Sequence, residues 1–149
     1  AVEVGALSAD HLEHSDEAAI RALAASEVVA VVLPGASLGL GMPFAPARKL
    51  LDSGACLAIS TDWNPGSAPM GNLLLQASVM AAAQKLSSAE TWAAITFRAA
   101  KALKLENRGR LQEGFLADMM AFGCEDYREI LYWQGQMLPQ LVWKNGMLV

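Results

Sequence analysis

Apolar residues fill every position from Val28 to Leu33. A β-branched run of this length is too short for a helix and has no polar face, so it predicts a strand buried on both sides, as in a parallel sheet. Cys56-Leu57-Ala58-Ile59-Ser60-Thr61 repeats the pattern, and Val4 to Leu12 is a weaker version of it. Helical spacing fills the gaps between them. Asp16 to Ala25 puts Ile20, Leu23 and Ala24 on one face behind the capping candidate Ser15, and Ala45 to Ser53 closes on Gly54. The resulting β-α-β-α-β order predicts an α/β fold whose parallel strands are joined by right-handed crossovers.

Two longer helices are expected next, over Asn72 to Lys85 and Ala89 to Lys104. Ser87-Ser88-Ala89-Glu90 has the capping-box spacing at the start of the second, and Trp92, Ile95, Ala99 and Leu103 form an apolar stripe along it that predicts a core-facing side. The texture changes from Asn107, where Gly109, Gly114, Gly123, Gly135 and Gly146 cut the chain into pieces too short for ordinary helices. Asp118 to Phe122 and Leu141 to Lys144 read as strands, and Asn145-Gly146 is a tight hairpin signal. A boundary is therefore expected near residue 107.

Composition narrows the function classes. Of 149 residues 54% are hydrophobic and 17% charged, which excludes a disordered or fibrous chain. A net charge of −4 lacks the positive field that holds nucleic acid or anionic lipid, so neither partner is expected. No apolar run approaches the ~20 residues of a membrane span. Cys56 and Cys124 lie far apart in apolar company, without CxxC spacing, as small buried hydrophobes of a reducing cytoplasm would. The opening Ala-Val-Glu-Val-Gly-Ala has neither an initiator Met nor a basic leader, and reads as a chain that begins inside a fold.

Reactive groups in parallel α/β folds collect at the carboxyl ends of strands. Two segments qualify: Ser8-Ala9-Asp10-His11-Leu12, and Ser60-Thr61-Asp62-Trp63-Asn64-Pro65-Gly66-Ser67. Each has a plainer explanation, since a lone His is often a core or surface residue and Asp, Asn and Gly together make turns. A solvated helix start accounts for His14, while Arg48 and Arg98 read as surface or helix-end charges. Gly39-Leu40-Gly41 lacks the third glycine of a dinucleotide fingerprint and reads as a loop, and no Walker, Gly-x-Ser-x-Gly or His-Glu-x-x-His motif occurs.

Taken together, Ala9-Asp10-His11-Leu12, Val32-Leu33-Pro34-Gly35, the Ser60 to Ser67 segment and Gly109-Arg110-Leu111-Gln112-Glu113-Gly114-Phe115-Leu116-Ala117-Asp118 resemble the amidohydrolase superfamily, and within it the imidazolonepropionase family. The resemblance implies that residues 1–107 are the last three βα units of a (β/α)8 TIM-type barrel and that 108–149 contribute to a small β-sandwich. It implies hydrolysis of the cyclic amide 4-imidazolone-5-propanoate, with His11 and Asp62 catalytic and Asn64, Gly66 and Ser67 against the substrate. Asp62 would also ligate one divalent or trivalent metal ion, Zn or Fe, whose remaining ligands lie outside this chain, because a catalytic metal site usually takes about three protein ligands. The alternatives are another amidohydrolase, such as an aminohydrolase, and a non-catalytic fragment that self-associates through open strand edges. A small-molecule substrate and a homo-oligomer are the expected partners.

Overall fold

The computed structural model describes residues 1–149 and places three parallel strands in one sheet. They are β1 (Ser8–Asp10), β2 (Val29–Val32) and β3 (Leu57–Ile59), in spatial order β1-β2-β3. Ala9 lies beside Ala30 and Ala30 beside Leu57, so the strands share one register and end on the same edge. All of β2 and β3 is buried, in keeping with their continuous apolar runs. The predicted first strand is shorter than its sequence span. Val2–Val4 forms a 3₁₀ turn that Gly5, at φ 64°, ends in a left-handed conformation.

Alternate residues of the strands feed two cores. Ala30, Val32, Leu57 and Ile59 pack outward on α1 (Glu17–Ala24), α3 (Ala47–Asp52), α4 (Leu73–Gln84) and α5 (Ser88–Ile95), through Ile20, Leu23, Leu50, Met80 and Ala94. Full burial of each such aliphatic side chain stabilises the fold by roughly 1.5–3 kcal/mol. Val29, Val31 and Ala58 face the other way, against Ala36 of α2 (Pro34–Leu40) and Ala99 and Ala102 of α6 (Phe97–Ala102).

Local chemistry sets the helix ends, with three departures from the sequence reading. Asp16, rather than Ser15, caps α1 by accepting from the Ala19 amide at 2.8 Å. The expected loop at Gly39-Leu40 belongs to α2, and Gly41, at φ 63°, ends that helix. The long helix predicted from Ala89 breaks at Thr96 (φ −123°, ψ −102°), where the Thr96 hydroxyl donates to the Trp92 carbonyl at 2.5 Å. The break redirects α6 and leaves Leu103 of the predicted core stripe 70% exposed. The Ser87–Glu90 capping box forms as its spacing predicts.

A second sheet is antiparallel, in the order β4 (Met119–Ala121), β5 (Leu141–Lys144), β6 (Met147–Leu148), and the Asn145-Gly146 turn joins its last two strands. Between β4 and β5 runs α7 (Arg128–Tyr132), which packs on α4 and was not expected from the sequence. Both cysteines are free and half-buried. No helix is long and apolar enough to cross a membrane.

Candidate active site

His11 follows β1 directly and Asp62 follows β3, so both stand on the carboxyl edge of the parallel sheet, with β2 between them. Neighbouring strands are ~4.8 Å apart, which puts the two segments about 10 Å apart across the edge. Both backbones are left-handed, with φ 73° at His11, 73° at Leu12 and 55° at Asp62. Such conformations cost an ordinary residue roughly 1–2 kcal/mol and persist only where surrounding structure enforces them.

Two residues that sequence reasoning passed over lie against the first segment. Glu13 has a nearly buried side chain whose carboxylate lies 3.7 Å from His11 Nδ1, and the Ser37 hydroxyl of α2 donates to its other oxygen at 3.3 Å. The imidazole itself is half exposed on this edge. No bond joins it to Asp62.

The loop from Ser60 to Gly71 is organised by Asn64. Its Nδ2 donates to the Asp62 carbonyl at 2.6 Å, to Asp62 Oδ2 at 3.0 Å and to Ser67 Oγ at 3.1 Å. Its Oδ1 accepts from the backbone N–H groups of Gly66 at 2.8 Å and Ser67 at 2.9 Å. Asn64 and the Gly66 amide thus shape the loop. Ser67 Oγ lies 3.4 Å from Asp62 Oδ2 and remains able to exchange partners. Asp62 Oδ1 accepts no hydrogen bond.

Helix α2 and α4 hold this loop from behind. The Gly35 amide donates to Gln76 Oε1 at 2.9 Å, and Gln76 Nε2 donates to the Met70 carbonyl at 2.6 Å. Gln76 is fully buried. A Cβ added to Gly35 would stand 2.8 Å from the Thr61 carbonyl oxygen, and one on Gly39 would overlap that of Ser67. The spacing of the two glycines, four residues apart, was the available signal for a helix face pressed on backbone.

On the inner face of the sheet a cleft of about 420 Å³ has Val31 and Ala58 as its floor and Ser60 and Thr61 toward the edge; Asp10, Ile95 and Ala99 complete its sides. A larger cleft of about 750 Å³ lies between α4, α5 and α7. Its one charged residue, Arg128, is paired with Asp126, so it lacks converging reactive groups. Arg48 also has a structural partner: it forks onto Glu90 at 2.9 and 3.0 Å and reaches Asp52 at 2.8 Å. Arg98 differs from its reading as a surface charge, because its Nη1 is buried without a partner.

The amidohydrolase family profile matches residues 8–149. The chain belongs to the amidohydrolase family. It is 50% identical over 135 residues to the imidazolonepropionase of Deinococcus radiodurans, covering 91% of this chain and 34% of that protein. Similar enzymes of Deinococcus deserti and Rubrobacter xylanophilus, also imidazolonepropionases, are 44% and 43% identical, with 98% and 100% of this chain covered and 37% and 36% of theirs. The chain therefore spans about a third of the length of the curated relatives it matches. Among solved structures, an adenosine deaminase from Xanthomonas campestris with bound zinc superposes with a TM-score of 0.85 at 24% identity, over 98% of this chain and 38% of that one. An atrazine chlorohydrolase from Arthrobacter aurescens complexed with zinc gives 0.79 at 24% identity, over 95% and 35%. These two likenesses establish the amidohydrolase fold, with its parallel sheet, for this chain.

Proposed function

We propose that this chain is the carboxyl-terminal portion of an imidazolonepropionase, which hydrolyses 4-imidazolone-5-propanoate to N-formimidoyl-L-glutamate in histidine degradation. The observation that carries the reading is the 50% identity to an imidazolonepropionase across 91% of the chain. In this reading residues 1–107 are the last three βα units of a (β/α)8 barrel and residues 108–149 are part of a small β-sandwich. The setting is the cytoplasm, where the free thiols of Cys56 and Cys124 stay reduced.

The family chemistry calls for a metal ion, zinc or iron. No group of three His, Cys, Asp or Glu side chains converges in this chain. Asp62, through its unpartnered Oδ1, is suited to give one ligand, and the others belong to the remainder of the enzyme. When bound, such an ion acidifies a water from a pKa near 16 toward ~7. Asp62 accepts a proton from the attacking water at Oδ2, the oxygen that Ser67 gives up, and the carboxyl then returns it to the ring nitrogen as the C–N bond breaks. His11, across β2 at the same edge, donates to the ring carbonyl oxygen where negative charge develops, its ring steadied by Glu13. Ser67 exchanges its bond to Asp62 for one to the substrate, while Asn64 and Gly66 keep the loop in shape.

A second reading within the family is an aminohydrolase, supported by the fold likeness to a deaminase. Assay of the full-length enzyme with imidazolonepropionate and with guanine separates the two. Turnover of the former alone is expected; turnover of guanine alone would replace this reading with the second.

A further inference from the structure

Helix α2 touches both halves of the candidate site. Toward His11, its buried Ser37 hydroxyl donates to Glu13, whose other oxygen faces the imidazole at 3.7 Å. Toward Asp62, Gly35 hydrogen-bonds Gln76, which holds the Met70 carbonyl, and Gly39 rests on the Ser67 carbonyl so closely that a methyl group would overlap it. The helix begins directly after β2, the strand separating the two catalytic segments. Loops following parallel strands are ordinarily free to move separately. Here a rigid element wedged between them fixes their separation.

From these contacts we infer that α2 is a spacer setting the distance between His11 and Asp62, with Ser37, Gly39 and Gln76 as positioning residues that touch no reacting atom. The inference rests on the hydrolase reading for its kinetic arm only. Gly39 supplies a discriminating test, because a methyl group there overlaps the Ser67 carbonyl. If the contact only packs the helix, Gly39→Ala lowers stability and leaves KM and kcat of the folded variant alone. If it spaces the loop, the methyl group displaces the Ser67 backbone, and a displacement on the order of 1 Å costs up to about a hundredfold in rate.

The experiment compares wild type, Gly39→Ala, Ser37→Ala and Gln76→Leu in the full-length enzyme, by imidazolonepropionate kinetics and by fluorine NMR after 5-fluorotryptophan labelling. Trp63 stands on the same loop against Gly71, and a Trp63→Phe variant assigns its signal. Gly39→Ala and Gln76→Leu are expected to raise KM about tenfold or more and to move the Trp63 resonance. Ser37→Ala, which removes one hydroxyl and creates no clash, is expected to lower kcat with KM nearly unchanged. Folded variants with wild-type KM, kcat and Trp63 resonance would overturn the inference. Should Gly39→Ala fail to fold, Gln76→Leu and Ser37→Ala decide it in the same way. If wild type leaves imidazolonepropionate untouched, the proposed function fails, while the fluorine arm still decides the spacer: a displaced Trp63 signal supports it and an unmoved one overturns it.

Discussion

At the scale of single residues the account turns on which polar groups are already spent. Asn64 uses its whole amide within the loop, so on the proposed function substrate contact is assigned to the Ser67 hydroxyl and the Asp62 carboxylate. Ser67→Ala is accordingly expected to raise KM severalfold with a smaller change in kcat, and steady-state kinetics of the full-length enzyme check it. His11→Ala is expected to lower kcat by about 10²–10⁴ without changing metal content, the usual range for losing a positioned proton donor. Equal loss of metal and activity would contradict that role. A different residue contributes to acid stability. The Arg48 guanidinium, aided by the Ser87 amide, holds the Glu90 carboxyl down to about 2, from an ordinary value of 4.5. Because the folded value is the lower, this contribution is complete above pH 4.5 and is lost as pH falls toward 2. Urea unfolding of Glu90→Gln should therefore show a smaller stability decrease than wild type between those pH values. The pair is about a third exposed, and the difference is expected to be on the order of 1 kcal/mol.

At the scale of elements, α4 depends on one residue at its start. Asn72 caps it by accepting from the Leu75 amide at 3.0 Å, and its Nδ2 donates to the Gly135 carbonyl beyond α7 at 3.1 Å. Asn72→Ala is expected to cost about 1 kcal/mol, visible as a lowered Tm by calorimetry, while Asn72→Asp keeps the cap and loses only the Gly135 bond. Elements of this kind differ in how far the sequence exposes them. The buried strands β2 and β3 were legible because an all-apolar β-branched run has few alternatives, and the Ser87–Glu90 box because its spacing is specific. Helix α2 was not, since Pro34, Gly35 and Gly39 argue for a loop and only packing against the Thr61 and Ser67 backbone makes those glycines an advantage. The break at Thr96 was hidden for a similar reason: no proline or glycine marks it, and α6 turns there to cover the inner face of the sheet. For the candidate site, positions 11 and 62 were legible as polar residues ending apolar strands. Glu13 stands two residues from His11, but its tie to Ser37 and that of Gln76 to Gly35 span 24 and 41 residues and leave no local pattern.

At the scale of the whole molecule, the parallel sheet has an unpaired edge on β1 and another on β3. Such edges invite pairing with further strands. The 149-residue chain expressed alone is expected to self-associate as its concentration rises, which light scattering would detect; a stable monomer at every concentration would contradict the expectation. On the proposed function, the full-length enzyme covers the same edges and brings the carboxyl ends of β1 and β3 to one substrate. The most direct test of that claim is hydrolysis of imidazolonepropionate by the full-length protein, measured with Asp62 intact and as Asp62→Ala, alongside metal analysis of both. Turnover is expected of the first and, in the second, loss of both activity and bound metal. Undiminished hydrolysis by Asp62→Ala would show that the chemistry resides elsewhere.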